Sequence, residues 1–123
     1  MGFLNTIFGK NHDKLANIPW KPLRNIHQLD TIVNDSNVHT HLIFKHSTRC
    51  GISSSVLRRF EKEFDTSLPI QLYFLDLLSH REISNEIEQR FGVAHQSPQV
   101  LILKDGKVEA HAAHYDILVM RFS

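Results

Sequence analysis

Residues 42–53 of this chain read LIFKHSTRCGIS, and this stretch indicates how the chain folds. It opens with an unbroken apolar run, Leu42-Ile43-Phe44, between polar flanks, which is the pattern of a short strand buried on both faces. After the polar loop of residues 47–49, apolar side chains recur at steps of three and four residues, which is typical of an amphipathic helix of about four turns. These side chains are Ile52, Val56, Leu57, Phe60 and Phe64. The stretch therefore predicts a buried strand, a short loop and a helix that begins at or near Cys50.

Two capping boxes predict two more helices on either side of this unit. In the first box Asn25 caps the helix and Gln28 reaches back, and a helix over residues 26–34 follows. The second box is Ser-His-Arg-Glu at residues 79–82, and it precedes a helix that Gly92 is placed to terminate.

The remaining segments favour strands. Residues 70–75 are rich in strand formers, and the run at residues 100–103 is joined through the turn at residues 104–107 to an alternating strand at residues 108–112. A short final helix is expected over residues 117–122. A strand–helix–strand unit gives a parallel pair, and a hairpin adds antiparallel strands. The sequence therefore predicts an α/β fold, with a mixed central sheet and helices on both faces.

Length and charge limit the classes of function. The chain has 123 residues, which suits one domain, and its formal net charge of +1 gives no reason to expect a nucleic-acid or membrane partner. We expect residues 1–17 to form an N-terminal helical extension and residues 18–123 to form the domain. The single cysteine cannot form an intrachain disulfide and suits a reducing compartment, so a cytoplasmic location is expected.

Cys50 is the main candidate for chemistry. It follows a buried strand and precedes a helix, and the free N–H groups and dipole of a helix N-terminus stabilise a thiolate. Arg49, together with Lys45 and His46, is expected to add positive charge nearby. The alternative is a buried, unreactive cysteine, but the polar residues of the loop before it favour the reactive interpretation.

Two other positions belong to the candidate site. Ser53 stands three residues after Cys50, where a dithiol enzyme has its resolving cysteine; a serine can donate a hydrogen bond to a thiolate but cannot close a disulfide. The alternative is an ordinary serine on the helix surface. Pro98, after Ser97, begins a predicted strand, and it is either a plain strand breaker or a proline with a structurally required cis peptide bond. The nine histidines show no recognised metal-ligand spacing, so no metal site is expected.

The segment from Phe44 to Cys50, followed by Ile52-Ser53, resembles the monothiol bacilliredoxin family of thioredoxin-like proteins. The likeness covers about residues 18–118. Further matching stretches are Trp20-Lys21-Pro22-Leu23, Tyr73-Phe74-Leu75-Asp76-Leu77, Ser97-Pro98-Gln99 and Lys104-Asp105-Gly106-Lys107.

This resemblance implies a thioredoxin-like fold and a thiol–disulfide oxidoreductase that removes bacillithiol, a small bacterial thiol, from mixed disulfides on client proteins. Cys50 would be the catalytic thiol, bacillithiol a co-substrate, and no cofactor would be bound. The implied partners are thiol-modified client proteins and the small thiol. The supporting residues would be Thr48, Arg49, Gly51, Ser53, Ser97 and Pro98, with Pro98 as the cis-proline.

One position departs from the family pattern, which usually has proline after the cysteine where this chain has Gly51. Cys-Gly-Ile-Ser also resembles the Cys-Gly-Phe-Ser of monothiol glutaredoxins, which carry a shared iron–sulfur cluster together with glutathione. An iron–sulfur cluster carrier therefore stands as one alternative, and a redox-silent binding module of the same fold stands as another.

Overall fold

A computed structural model of the chain describes residues 18–122. The predicted helical extension over residues 1–17 lies outside the described residues. Within the described part, no helix is both long and apolar enough to cross a bilayer. The elements are β1 (Lys21–Pro22), α1 (His27–Asp35), β2 (Thr40–His46), α2 (Gly51–Glu63), β3 (Ile70–Asp76), α3 (Arg81–Phe91), β4 (Gln99–Lys104), β5 (Lys107–Ala113) and a 3-10 helix (His114–Val119).

The strands form one mixed sheet in the order β1-β3-β2-β4-β5. Strands β1, β3 and β2 run parallel, β4 is antiparallel to β2, and β5 is antiparallel to β4. This is the predicted mixed sheet. The edge strand β1 was not predicted, because two residues are too few to show an alternating pattern. The central position of β2 explains why its apolar run has no polar alternation: both of its faces are covered.

The two faces of β2 lead into two separate cores. Ile43 points toward α1 and α3, where it packs with Leu29, Ile32, Leu75, Ile83, Ile87 and Leu101. Leu42 and Phe44 point toward α2 and the 3-10 helix, where they pack with Val56, Phe60, Leu72, Val100, Ile102 and Ile117. Helices therefore cover both faces of the sheet, as the sequence predicted.

The first capping box is present and the second is not. The Gln28 N–H donates to Asn25 Oδ1 at 3.1 Å, and the Asn25 N–H donates to Gln28 Oε1 at 3.0 Å. The predicted cap at Ser79 is wrong, because the Ser79 hydroxyl donates instead to Asp76 Oδ2 at 3.1 Å and α3 begins one residue later than the box requires. The carboxylate at the end of β3 takes the hydroxyl that would have capped the helix.

The helix expected over residues 117–122 was placed too late. It is a 3-10 helix that begins at His114, directly after β5. His114 adopts a positive φ of 57°, which turns the chain sharply, and its N–H donates to the Pro98 carbonyl at 3.0 Å.

The tight turn between β4 and β5 is docked on the end of α1. Asp105 and Gly106 have φ values of 54° and 79°, as a two-residue hairpin turn requires. The Gly106 N–H donates to Ser36 Oγ at 2.8 Å, and the Ser36 hydroxyl donates to the Val33 carbonyl at 2.6 Å. The Asp105 N–H also donates to the Ser36 carbonyl at 2.8 Å. Ser36 is buried and thus anchors the hairpin to the helix layer through two hydrogen bonds.

We predict that Ser36→Ala lowers the free energy of unfolding by about 1 kcal/mol, because the partly buried Gly106 N–H loses its acceptor. Urea denaturation of the wild type and the variant measures the change. Ser67→Ala, which removes an exposed serine hydroxyl, is the matched control and should change stability by less than about 0.5 kcal/mol. Equal losses in the two variants would show that Ser36 does not anchor the hairpin.

Candidate active site

Cys50 stands between the end of β2 and the start of α2. It is the N-cap residue of α2, with an extended backbone (φ −103°, ψ 118°), and its carbonyl accepts the first helical hydrogen bond, from the Ser54 N–H at 3.1 Å. Its own N–H donates to the Ser47 carbonyl at 3.2 Å, and the residue is partly exposed. Cys50 is therefore held in a tight loop and is partly exposed, so it is not the buried cysteine of the alternative, and its reactivity stays a prediction.

The start of α2 is suited to a negative charge. The helix has 13 residues, and its first turn carries no acidic side chain that would compete for the free N–H groups. Thr48 and Arg49, just before Cys50, are both exposed. The helix end and Arg49 together favour an anion at this position.

Gly51 is the first residue of α2, where proline is well tolerated. A Cβ atom built on Gly51 meets nothing within 4 Å. The extended backbone of Cys50 is also the conformation that a residue before proline requires. The backbone at position 51 would therefore also accept the proline that the family usually has there, and its conformation does not require glycine.

Ser53 is completely buried, so the helix-surface alternative is wrong for this residue. Its Oγ lies 2.7 Å from His46 Nδ1 and accepts a hydrogen bond from the Ser47 N–H at 3.1 Å. The hydroxyl thus joins the first turn of α2 to the end of β2. A hydrogen bond from Ser53 to a Cys50 thiolate stays a prediction.

His46 and Lys45 do not supply the positive charge that the sequence suggested. Burial lowers the pKa of the His46 imidazole, against the opposing effect of the Asp76 and Glu61 carboxylates, so the ring is neutral at neutral pH. Lys45 points to the other face of the sheet, toward α3. Of the three cationic residues that the sequence proposed, Arg49 is the exposed one.

The Ser97–Pro98 peptide bond is cis. Lys45 pairs with Gln99 in the antiparallel register of β2 and β4, so the next pair in that register sets Pro98 opposite His46. Pro98 is buried, and Ser97 Oγ is a buried atom without a hydrogen-bond partner in the described part of the chain. The Ser97–Pro98 segment and the loop that leads to Cys50 therefore lie at the same end of the central strands β2 and β4. A direct Pro98–Cys50 contact stays a prediction.

A buried lysine holds the segment that leads to Pro98. Lys45 Nζ lies 2.8 Å from His95 Nδ1 and donates to Gln99 Oε1 at 3.1 Å, and Gln99 Nε2 donates to the Ala94 carbonyl at 3.0 Å. Ser84 Oγ lies 3.1 Å from the same His95 nitrogen. The sequence analysis assigns Lys45 to the positive charge near Cys50. Its place directly after an apolar run of three residues is the signal that it continues the buried strand.

Among residues 18–122 there is no group of three or more histidine, cysteine, aspartate or glutamate side chains that is arranged to hold a metal ion.

Burial lowers the pKa of Lys45 from its ordinary value of 10.5 to about 8. Between pH 8 and 10.5 the Lys45 amine is therefore protonated in the unfolded chain and neutral in the folded one. The free-energy cost of burying the charged amine is fully present below pH 8 and disappears as the pH rises through this window. We predict that the unfolding free energy of wild type relative to Lys45→Met increases by about 3 kcal/mol from pH 7 to pH 10.5. Urea denaturation across this range measures it.

Lys62→Met, at an exposed lysine in the last turn of α2, is the control for this experiment. Its unfolding free energy should run parallel to that of wild type over the same pH range. A parallel curve for Lys45→Met as well would contradict the burial of a charged amine.

We also predict that Gly51→Pro folds and is more stable than wild type by about 0.4–1 kcal/mol, because proline reduces the freedom of the unfolded chain without straining this backbone. Thermal unfolding measures the difference. Gly51→Ala is the control that adds a Cβ without fixing φ, and it should lie between the two. A destabilised proline variant would show that the first N–H of α2 is needed as a donor.

Comparison with known proteins gives a consistent result. The model of the monothiol bacilliredoxin BrxC family matches residues 21–121. Among solved structures, the chain is similar to a protein provisionally described as an oxidoreductase with a thioredoxin fold, at 27% sequence identity and a TM-score of 0.68, over 78% of this chain and 83% of that chain.

Thioredoxins give more distant matches. A thioredoxin of Malassezia sympodialis has 15% identity and a TM-score of 0.60, over 77% of this chain and 78% of that chain. Mitochondrial thioredoxin 3 of Saccharomyces cerevisiae has 16% identity and a TM-score of 0.63, over 77% of this chain and 83% of that chain. These two matches support the fold, and the family match covers most of the chain. The protein has a thioredoxin fold and belongs to the monothiol bacilliredoxin BrxC family.

Proposed function

We propose that this protein is a thiol–disulfide oxidoreductase that removes bacillithiol from mixed disulfides on other proteins, with Cys50 as the attacking thiol. The observation that carries the proposal is the position of Cys50, which is the partly exposed N-cap residue of α2 in a chain of the monothiol bacilliredoxin family. The supporting residues predicted from the sequence lie near the carboxyl end of the central strand β2. They are Thr48, Arg49, Gly51, Ser53, Ser97 and Pro98.

The proposed reaction is one disulfide exchange. The Cys50 thiolate attacks the bacillithiol sulfur of the client's mixed disulfide, a new S–S bond forms between Cys50 and bacillithiol, and the bond to the client's cysteine breaks. The client sulfur leaves as a thiolate and takes a proton from water. Because the chain has one cysteine, the adduct on Cys50 is the only oxidised product available within the chain, and a second thiol must remove it.

The residues around Cys50 would assist this exchange in different ways. The free N–H groups at the start of α2 stabilise the thiolate before attack. The exposed loop of Thr48 and Arg49 leaves the sulfur open to a large partner. We propose that the Ser97 backbone hydrogen-bonds the incoming chain next to its disulfide.

The exchange needs a Cys50 thiol that is kept reduced, which accords with the cytoplasm. The proposed partners are thiol-modified client proteins and bacillithiol. The near balance of 14 basic and 13 acidic residues offers nothing to attract nucleic acid or an acidic membrane.

We predict that reduced protein mixed with a bacillithiolated client frees the client and gains the mass of one bacillithiol on Cys50. Intact-mass analysis of both proteins follows the two changes. Cys50→Ser should do neither, because the nucleophile is gone. Ser53→Ala should keep the reaction at a lower rate, since the helix end still stabilises the thiolate.

A glutathionylated client is the matched control, and a slower reaction with it would assign bacillithiol as the preferred thiol. Wild-type protein that leaves the client modified while Cys50 stays reduced and open to alkylation would contradict the mechanism and favour the redox-silent module. A brown, iron-containing dimer after anaerobic purification would favour the cluster carrier instead.

A further inference from the structure

The proposed exchange gives no role to a buried polar cluster next to the Ser97–Pro98 segment. Lys45 and Gln99 lie directly opposite each other on β2 and β4, and their exposed fractions are 0% and 1%. Residues that lie opposite each other on antiparallel strands project from the same face of the sheet, so the two side chains can meet. Lys45 Nζ donates to Gln99 Oε1 at 3.1 Å. The pair thus lies one residue from Pro98, at the end of β2 that leads to Cys50.

This pair fixes two successive positions in the segment between α3 and β4. Gln99 Nε2 donates to the Ala94 carbonyl at 3.0 Å, and Lys45 Nζ lies 2.8 Å from His95 Nδ1. A lysine ammonium can only donate hydrogen bonds, so Nδ1 accepts and the ring proton is on Nε2. Ala94 and His95 are both exposed residues. The cluster therefore reaches from a buried strand to a surface segment and holds it.

The same segment is also held at its two ends. Val93 is buried in the core beneath α1 and α3, and the Pro98 carbonyl accepts the His114 N–H at 3.0 Å. Together with the two anchors just described, these contacts leave residues 96–97 between neighbours that are fixed on both sides. The position of the Ser97 backbone is therefore set through those neighbours.

A charged amine is an energetically costly group at this position. Burial lowers the pKa of Lys45 to about 8, so the buried amine is charged at neutral pH. Both of its hydrogen-bond partners are neutral, because Gln99 is an amide and burial lowers the pKa of the His95 ring. An apolar side chain of similar size often stabilises a fold as well as a buried charge does, or better. The geometry that the cluster imposes accounts for Lys45 better than stability does.

We propose that Lys45 and Gln99 are positioning residues, which hold residues 94–98 so that the Ser97 backbone meets the polypeptide next to the client's mixed disulfide. The inference rests on the proposed function, in which Ser97 hydrogen-bonds the client chain and Cys50 attacks its disulfide. It names the substrate class of that site as mixed disulfides within a polypeptide, in preference to disulfides between small thiols. The cluster itself exchanges no atom or proton with the substrate.

The first arm of the test measures backbone order in the wild-type protein by ¹⁵N relaxation. We expect the amides of Gln96 and Ser97 to have order parameters of about 0.85, the value of rigid backbone. Gly106, whose N–H is held by Ser36, is the internal reference. Values below about 0.6 at Gln96 and Ser97 would overturn the proposal, because the segment would then not be held. This arm needs no variant to fold.

The second arm removes each anchor while nearly keeping the side-chain volume. Lys45→Met deletes the amine and Gln99→Met deletes the amide, and thermal unfolding checks that each variant is folded. In both variants we expect the order parameters of Gln96 and Ser97 to fall, because one anchor of their segment is gone. The order parameter of Gly106 should stay unchanged.

The third arm compares two mixed disulfides of bacillithiol, one with the cysteine of a short peptide and one with mercaptoethanol, which has no backbone. Intact-mass analysis follows the gain of bacillithiol on Cys50, and the ratio of the two rates cancels the reactivity of the thiol itself. We expect Lys45→Met and Gln99→Met to lower this ratio by about two- to tenfold, the effect of one hydrogen bond. The rate with mercaptoethanol should stay that of wild type.

Lys62→Met and Gln89→Met, at exposed positions on α2 and α3, are the matched controls and should follow wild type in every arm. Order parameters and rate ratios of Lys45→Met and Gln99→Met that equal those of the controls would contradict the proposal. An equal loss of rate with both disulfides would also contradict it, because a general loss of structure does not single out the polypeptide substrate.

The three arms also separate this inference from the proposed function. A wild type that takes bacillithiol from neither compound would remove the proposed exchange, while order lost only in the two anchor variants would still support the anchoring of the segment. An active wild type whose rate ratio is unchanged in both variants would remove the positioning role alone.

Discussion

The central strand β2 is the constraint on which the rest of the structure depends. It is hydrogen-bonded on both edges, parallel to β3 and antiparallel to β4, and covered on both faces. A strand in that position cannot shift by one residue without exchanging its two faces, so the alternation from Leu42 to His46 fixes which side chains meet each helix layer. The residue at which this strand ends also fixes where α2 begins, and therefore where Cys50 is placed.

The carboxyl end of β2 is both buried and polar, and these two properties oppose each other energetically. The residues there remain buried, as the core requires, but they are polar: Lys45, His46 and Ser47 follow directly after Phe44. Each has found a hydrogen-bond partner, on the α3 face through His95 or at the first turn of α2 through Ser53. A polar group buried without a partner would cost several kcal/mol, on the order of 2–7, so these bonds are what allow a polar site to sit on an apolar strand.

The sequence predicted the elements whose signal is local or periodic. The apolar run at residues 42–44, the spacing along α2, the box of Asn25 and Gln28, and the Asp105-Gly106 turn each carry their own structural information. Prediction from the sequence is less reliable where a side chain has two possible hydrogen-bond partners. Ser79 has the sequence of a cap, but the Asp76 carboxylate, which only the fold brings near, takes its hydroxyl.

The same limit applies to the site. Cys50, Gly51 and Ser53 could be located from their place at a predicted helix start, since that reasoning needs only neighbouring residues. The partners of Ser53 depend on a loop geometry that no spacing rule contains, and the contact of Lys45 with His95 joins residues 50 positions apart. Closeness in sequence predicts Lys45 as an electrostatic neighbour of Cys50, whereas the alternation of the strand directs its side chain to the opposite face of the sheet, against His95.

The serine at position 53 has a structural role that its hydrogen bonds define. In a dithiol protein this place would hold a sulfur that closes a disulfide with Cys50 and must be free to do so. Here the side chain is an oxygen that is already bonded on the inner side, to the Ser47 N–H and to His46. This hydroxyl joins the first turn of α2 to the end of β2. A serine at this position cannot close a disulfide with Cys50, so under the proposed function the exchange open to Cys50 is with a thiol outside the chain.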